Sequence, residues 1–237
     1  MKEVKEFLIN NRDPKYLDFS ENLNICKGKR ALGVRIPILR NYAKTLSKKY
    51  SIDYLINNID EDYYEEILLK GFIIGNYKDL TFEELIKYID NHLTKIIDWS
   101  LCDTFVASLK ITKKYQDKIW DYLIDQINTK KEYYVRFGLV MILNYYINDS
   151  YKDRIYKIIE TIKSKYYYVN MANAWLLSCM FVNYFDDTIN FINHTKLDPW
   201  TKRKGLSKAL ESYKITDENK TILKKIREHS KRDSLIE

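Results

Sequence analysis

The chain has 237 residues, with 40 Lys and Arg against 33 Asp and Glu, a net charge of +7, and only 6 Gly and 3 Pro. That length can bury a large core as one domain or as an array of repeats, and so few turn residues argue against a turn-rich sheet protein. No apolar run approaches ~20 residues and the start, MKEVKEFLINNRDPKYLDF, lacks the basic-then-apolar pattern of a signal peptide, which predicts a soluble cytoplasmic protein. Cys26, Cys102 and Cys179 lie far apart and read as buried free thiols of a reducing compartment.

In chain order, Met1 to Asn11 predicts a short amphipathic helix carrying Val4, Phe7 and Leu8. A second helix follows Asp13-Pro14, where Pro fits the first turn. Lys27-Gly28-Lys29-Arg30-Ala31-Leu32-Gly33-Val34-Arg35-Ile36-Pro37 is a basic loop with two glycines. It feeds a helix from about Pro37 to Tyr50 that turns Ile38, Leu39, Tyr42, Ala43 and Leu46 inward. Ser51 opens a short helix, and Tyr63 to Asn76 a longer, strongly apolar one. Thr81-Phe82-Glu83-Glu84 has capping-box spacing and starts a helix ending near His92. Asp98 is a candidate N-cap for an apolar helix running through Phe105 to Leu109. Further helices are expected at 113–127, 132–148, 150–164, 166–182, 186–193, 199–213 and 217–230. Few hairpin signals separate these stretches, so no strand pair is expected.

Aligning the aromatic helix starts exposes a repeat. Tyr63-Tyr64, Asp98-Trp99, Tyr133-Tyr134, Tyr167-Tyr168 and Pro199-Trp200 follow one another at spacings of 35, 35, 34 and 32 residues. A two-helix unit recurring at this length predicts an all-α fold, a HEAT-like or ARM-like α-solenoid spanning residues 1–237 as a single domain. Stacked pairs curve, and equivalent helices would then share one concave wall. The basic residues favour a polyanion there. Lys27 to Lys49 holds eight basic residues and no acid, and Thr201 to Arg232 holds eleven basic residues against four acids.

The expected wall helices carry the unusual side chains. Trp99 and Asp103, four apart, share one helix face, and Asp is a poor residue for a helix interior. Arg136 and Trp175 follow on later wall helices, and the last one offers Trp200, Lys202, Lys204 and Lys208. Each also has an ordinary structural role open to it: core filler for the tryptophans, an acid's partner for Arg136, solvated surface for the lysines. His92, His194 and His229 are isolated, so no metal site is expected, and no phosphate-binding glycine loop is present. Cys102 has no His near it in sequence and reads as a buried thiol.

The chain resembles the AlkD-type DNA alkylation repair glycosylases, built from HEAT-like repeats. The resemblance rests on Gly33-Val34-Arg35-Ile36-Pro37-Ile38-Leu39-Arg40, Tyr64-Glu65-Glu66 with Leu68-Leu69-Lys70-Gly71, Trp99 with Asp103, Arg136, Trp175, and the run Leu197 to Tyr213. It implies that Trp99, Asp103 and Trp175 form the site at the damaged nucleotide. By the same resemblance Arg136 grips the DNA backbone, and the basic clusters offer Arg35, Lys202, Lys204 and Lys208 as further DNA contacts. The implied activity is removal of positively charged alkylpurines, of the 3-methyladenine and 7-methylguanine type, from double-stranded DNA without flipping the base. No cofactor, metal or membrane is expected, and the protein is expected to act as a monomer. The chain departs from the family around Trp175, where Asn170, Met171 and Asn173 precede the indole and Ser178-Cys179-Met180 follow it.

The chemistry suits these residue types. A cationic purine needs no general acid to leave; the task is to stabilise charge on base and sugar as the bond breaks. Indole faces attract cations, and a fixed carboxylate opposes an oxocarbenium-like sugar and orients water. Two other classes fit the same sequence: a non-catalytic binder of distorted or branched DNA, and a helical-repeat scaffold for another protein.

Overall fold

The computed structural model describes residues 1–26 and 28–233, with side chains through Glu228. Lys27 of the basic loop therefore lies outside the described residues, as do the side chains of His229, Lys231 and Arg232. Among the described residues there are fourteen α-helices and no strand beyond one isolated bridge between Arg30 and Tyr63. The fold is all-α. No helix among them is long and apolar enough to cross a membrane.

The chain forms two compact units, Met1–Tyr122 and Leu123 onward. The first holds α1 (Lys2–Asn10), α2 (Pro14–Asn22), α3 (Ile36–Lys49), α4 (Ile52–Asn58), α5 (Tyr64–Asn76), α6 (Phe82–Leu93) and α7 (Trp99–Val106), then a 3-10 helix at Lys110–Tyr115. After α8 (Gln116–Asn128) the second holds α9 (Glu132–Tyr145), α10 (Lys152–Thr161), α11 (Tyr167–Asn183), α12 (Phe185–His194), α13 (Pro199–Glu211) and α14 (Asp217–Asp233).

Short polar side chains set several of the starts. Asp13, Ser51, Asp98 and Asp198 each accept from a first-turn backbone N–H, and Thr81 with Glu84 closes a reciprocal capping box. The expected helix through Leu109 is shorter: α7 stops at Val106. There Ser108 N–H bonds to Phe105 and Leu109 N–H to Val106, three residues back, so the chain tightens and turns Leu109 into the core. Hydroxyls help, since Thr104 Oγ1 donates to the Ser100 carbonyl at 2.6 Å and Ser108 Oγ to that of Thr104 at 3.0 Å.

Within each unit the odd-numbered helices pack on one another. In the first, α5 lies against both α3 and α7; in the second, α11 lies against both α9 and α13. These central helices are accordingly apolar nearly all round, α5 being buried without a break from Tyr64 to Ile74. Many hydrogen bonds join places some 32 to 35 residues apart. Tyr64 Oη reaches Asp98 over 34 residues, Tyr88 reaches Asp53 over 35, and Tyr115 reaches the Leu80 carbonyl over 35. In the second unit Arg136 reaches Tyr168 over 32 residues and Lys152 reaches Asp187 over 35.

The glycine-containing loop before α3 has a specific clasp. Glu65, 2% exposed, turns Oε1 onto the backbone N–H groups of Leu32 (3.0 Å), Gly33 (2.7 Å) and Val34 (3.3 Å). Gly33 has φ +76°, and a Cβ there would sit 2.3 Å from the Asp13 carbonyl oxygen. The Gly33-Val34 and Tyr64-Glu65 segments are thus two halves of one contact.

Candidate functional site

In the first unit the site is built on the N-terminus of α7. Asp98 is 4% exposed, and its Oδ1 accepts from Leu101 N–H (2.9 Å), capping the helix, and from the Tyr64 hydroxyl (2.9 Å). Its Oδ2 accepts from Cys26 N–H (3.0 Å), which pins a loop whose Cys26 has φ +65°. That loop returns the favour to the next side chain: Trp99 Nε1 donates to the Leu23 carbonyl at 3.3 Å. The indole is therefore oriented by a backbone acceptor that Asp98 holds in place.

Trp99 and Asp103 are both half-buried and stand one turn apart on α7. The buried neighbours Leu101, Cys102, Phe105 and Val106 anchor the other faces. The tryptophan–carboxylate pair is thus presented from a fixed helix. Burial, and then the Asp98 carboxylate, push the Cys26 thiol up to about 12, and burial with Asp98 likewise raises the Tyr64 phenol. Neither group is a nucleophile or base near neutral pH. Arg35 is exposed and paired, its Nε at 2.9 Å and an Nη at 2.8 Å from Asp13 Oδ2, with its guanidinium over the Tyr16 ring.

The second unit places Arg136, Trp175 and the lysines on the successive packed helices α9, α11 and α13. Arg136 is 4% exposed; its Nη1 donates to the Tyr168 carbonyl at 2.8 Å, tying α9 to the first turn of α11. Nearby, burial raises the Glu132 carboxyl despite Arg136's opposing charge. Trp175 is half-buried. Two residues before it, Asn173 is fully buried and donates to the Ile159 carbonyl at 3.0 Å, so this departure from the family pattern is a packing element. On α13, Lys202 donates to the Ile192 carbonyl at 2.7 Å near the end of α12. Trp200 packs edge-on against Tyr167, and Lys204 shares a cleft of about 330 Å³ with Trp200, Arg203, Ser207 and Arg227. Lys208 is half-buried. Sequence reasoning missed Arg203 and Arg227 here, and it missed that Tyr64 and Glu65 act as braces.

A family model described as DNA alkylation repair enzyme matches residues 4–209, most of the chain and both units. The chain belongs to the DNA alkylation repair enzyme family. Membership gives this family member a role in DNA alkylation repair and implies DNA as its partner. No curated protein and no solved structure matches it. Among its described residues no group of three or more His, Cys, Asp or Glu side chains is arranged to hold a metal ion.

Proposed function

We propose that the chain is a DNA glycosylase of base excision repair that releases cationic alkylpurines from duplex DNA without extruding the base. The observation that carries this reading is the Trp99–Asp103 pair on α7, its indole oriented by Leu23 and its helix start fixed by Asp98. In this reading the helix pairs form one curved α-solenoid, and the odd-numbered helices line a basic concave groove for the duplex.

Asp103 supplies negative charge beside the sugar and positions water. As the N-glycosidic bond breaks, its electron pair moves to the purine and cancels the ring's positive charge. Water adds its oxygen to C1′, and its proton passes to the carboxylate or to solvent. Trp99 and Trp175 offer indole faces to the cationic base and sugar, an attraction of ~2 kcal/mol when desolvated. Arg136, expected to grip the DNA backbone, is buried on the Tyr168 carbonyl and braces α9 against α11 instead; Arg35, Lys202, Lys204 and Lys208 supply the phosphate contacts. Most glycosylases extrude their base; dispensing with that step follows here from the family resemblance.

The test is single-turnover release of alkylpurine from methylated duplex, beside a binding titration on the same DNA. Asp103→Asn keeps size and polarity but not charge, and is expected to lower release by ~10²–10³ with affinity retained or slightly raised. Equal release by variant and wild type would make Asp103 a spectator. Tight binding with no release by either protein would instead favour a non-catalytic binder, a reading supported by the packing role of Asn173 beside Trp175.

A further inference from the structure

A cleft of about 750 Å³ in the first unit lies away from Trp99, at the C-terminal ends of α5 and α7, and no acidic residue lines it. Its lining carries five basic side chains: Arg40 and Lys44 from α3, Lys78 from just after α5, and Lys110 and Lys114 from the 3-10 helix. Arg40 forms the fixed floor. Its guanidinium lies 4.4 Å from the Phe72 ring centre and donates to Ser108 Oγ (3.2 Å) and the Thr104 carbonyl (3.4 Å).

Part of this charge has a structural use. Helix C-termini carry partial negative charge, and Arg40 on the Thr104 carbonyl and Lys114 on that of Lys78 offset it. Lys114 also lies 3.9 Å from Asp79. Lys44, Lys78 and Lys110 are left over: all three are exposed, and none makes an ion pair among the described residues. Concentrating unpaired like charges around one concavity costs free energy that an anion would relieve. The volume exceeds what one phosphate fills. The Phe72 ring is 3% exposed and covered by Arg40, so no aromatic face remains on which a base could stack.

We propose that this cleft seats the sugar–phosphate backbone of the DNA duplex, held by Lys44, Lys78 and Lys110 over the Arg40 floor, separately from the α13 lysines. The inference rests on the DNA-binding part of the function proposed above. It assigns the first unit a backbone grip of its own beside the tryptophan–carboxylate pair.

The experiment uses the full chain carrying Lys44→Ala, Lys78→Ala and Lys110→Ala together, and an arginine triple at the same positions. Duplex affinity is measured by anisotropy across a salt series, with circular dichroism to check helix content. Loss of three contacts should lower the slope of log K against log salt by about 2.7 and weaken binding roughly 10²-fold near 0.1 M salt. The arginine triple should restore both. Unchanged affinity and slope in the alanine triple, while wild type binds, overturns the backbone seat and leaves the DNA reading standing. Binding of deoxyadenosine monophosphate to wild type that the alanine triple abolishes, with duplex affinity equal in both, overturns it in favour of a free-nucleotide site. If wild type fails to bind duplex even at low salt, the DNA reading itself falls and takes the seat with it.

Discussion

Asp98 and Asp103 show how position divides two chemically identical side chains. Asp98 is buried, caps α7 and holds both Cys26 and Tyr64; Asp103 is half-buried one turn beyond Trp99. Asp98→Ala should therefore cost about 2–4 kcal/mol, because it removes a cap and strands a buried N–H and a buried hydroxyl. Asp103→Asn should cost about 1 kcal/mol or less, and urea midpoints of the two variants separate the roles. His92 gives the pH prediction. It is buried against Phe105 at a ring separation of 4.2 Å, and burial lowers its pKa to about 3. Between about 3 and 6.5 the unfolded chain holds a proton on His92 that the folded chain does not. Stability is then complete above about 6.5 and falls as the pH drops toward 3. Glu61 works in the same direction: burial pushes its carboxyl up, but ion pairs from Lys70 and Lys95 outweigh that and hold it low. Denaturation of His92→Leu across this range should give a flatter profile than wild type.

Element by element, the sequence reveals the helices because their starts are written locally. Asp13-Pro14, Ser51, the Thr81–Glu84 pair, Asp98 and Asp198-Pro199 each sit where a helix begins. The end of α7 was hidden because Leu109 is as apolar in a 3-10 turn as in a helix, and periodicity over three residues cannot separate the two. The clasp between Glu65 and Leu32–Val34 was equally invisible, since it pairs a carboxylate with backbone groups 31 to 33 residues away. Two glycines measure how tightly such contacts are made. At Gly33 an added methyl meets fixed backbone, the Asp13 oxygen at 2.3 Å and Leu17 N at 2.8 Å, in a left-handed conformation. At Gly205 it meets Leu177 Cδ2 at 2.7 Å, the end of a flexible side chain, where α13 packs on α11. Gly33→Ala should accordingly cost about 3 kcal/mol or more and Gly205→Ala about 1 kcal/mol, read as shifts of the thermal midpoint.

At the scale of the whole molecule, charge was legible as two basic stretches but not as sites. The α13 lysines stood out because they lie within seven residues on one helix. The cleft beside α3 escaped because Lys44, Lys78 and Lys110 come from three separate segments that only the packing of α3, α5 and α7 unites. The Trp99–Asp103 pair was visible as an i, i+4 spacing, but its support, from Leu23 and Cys26, comes from more than 70 residues upstream. Replacing Lys204 and Lys208 by Ala should weaken binding to damaged and undamaged duplex alike. It should also reduce the salt slope by up to about 1.8, two contacts at ~0.9 each. A loss confined to damaged DNA would make these lysines lesion readers rather than phosphate contacts.

The tie between Trp99 and Leu23 also orders events during synthesis. Most side-chain bonds between neighbouring helix pairs close over some 32 to 35 residues, so a pair can dock soon after it emerges from the ribosome. The Leu23–Cys26 turn is different: its acceptor for the indole waits for a donor 76 residues later. At ~5–20 residues per second that is a delay of about 4–15 s, during which α1 to α6 can assemble around an unfinished loop. That loop is completed by the arrival of α7, which caps itself with Asp98, fastens the waiting turn and orients Trp99 in a single docking step.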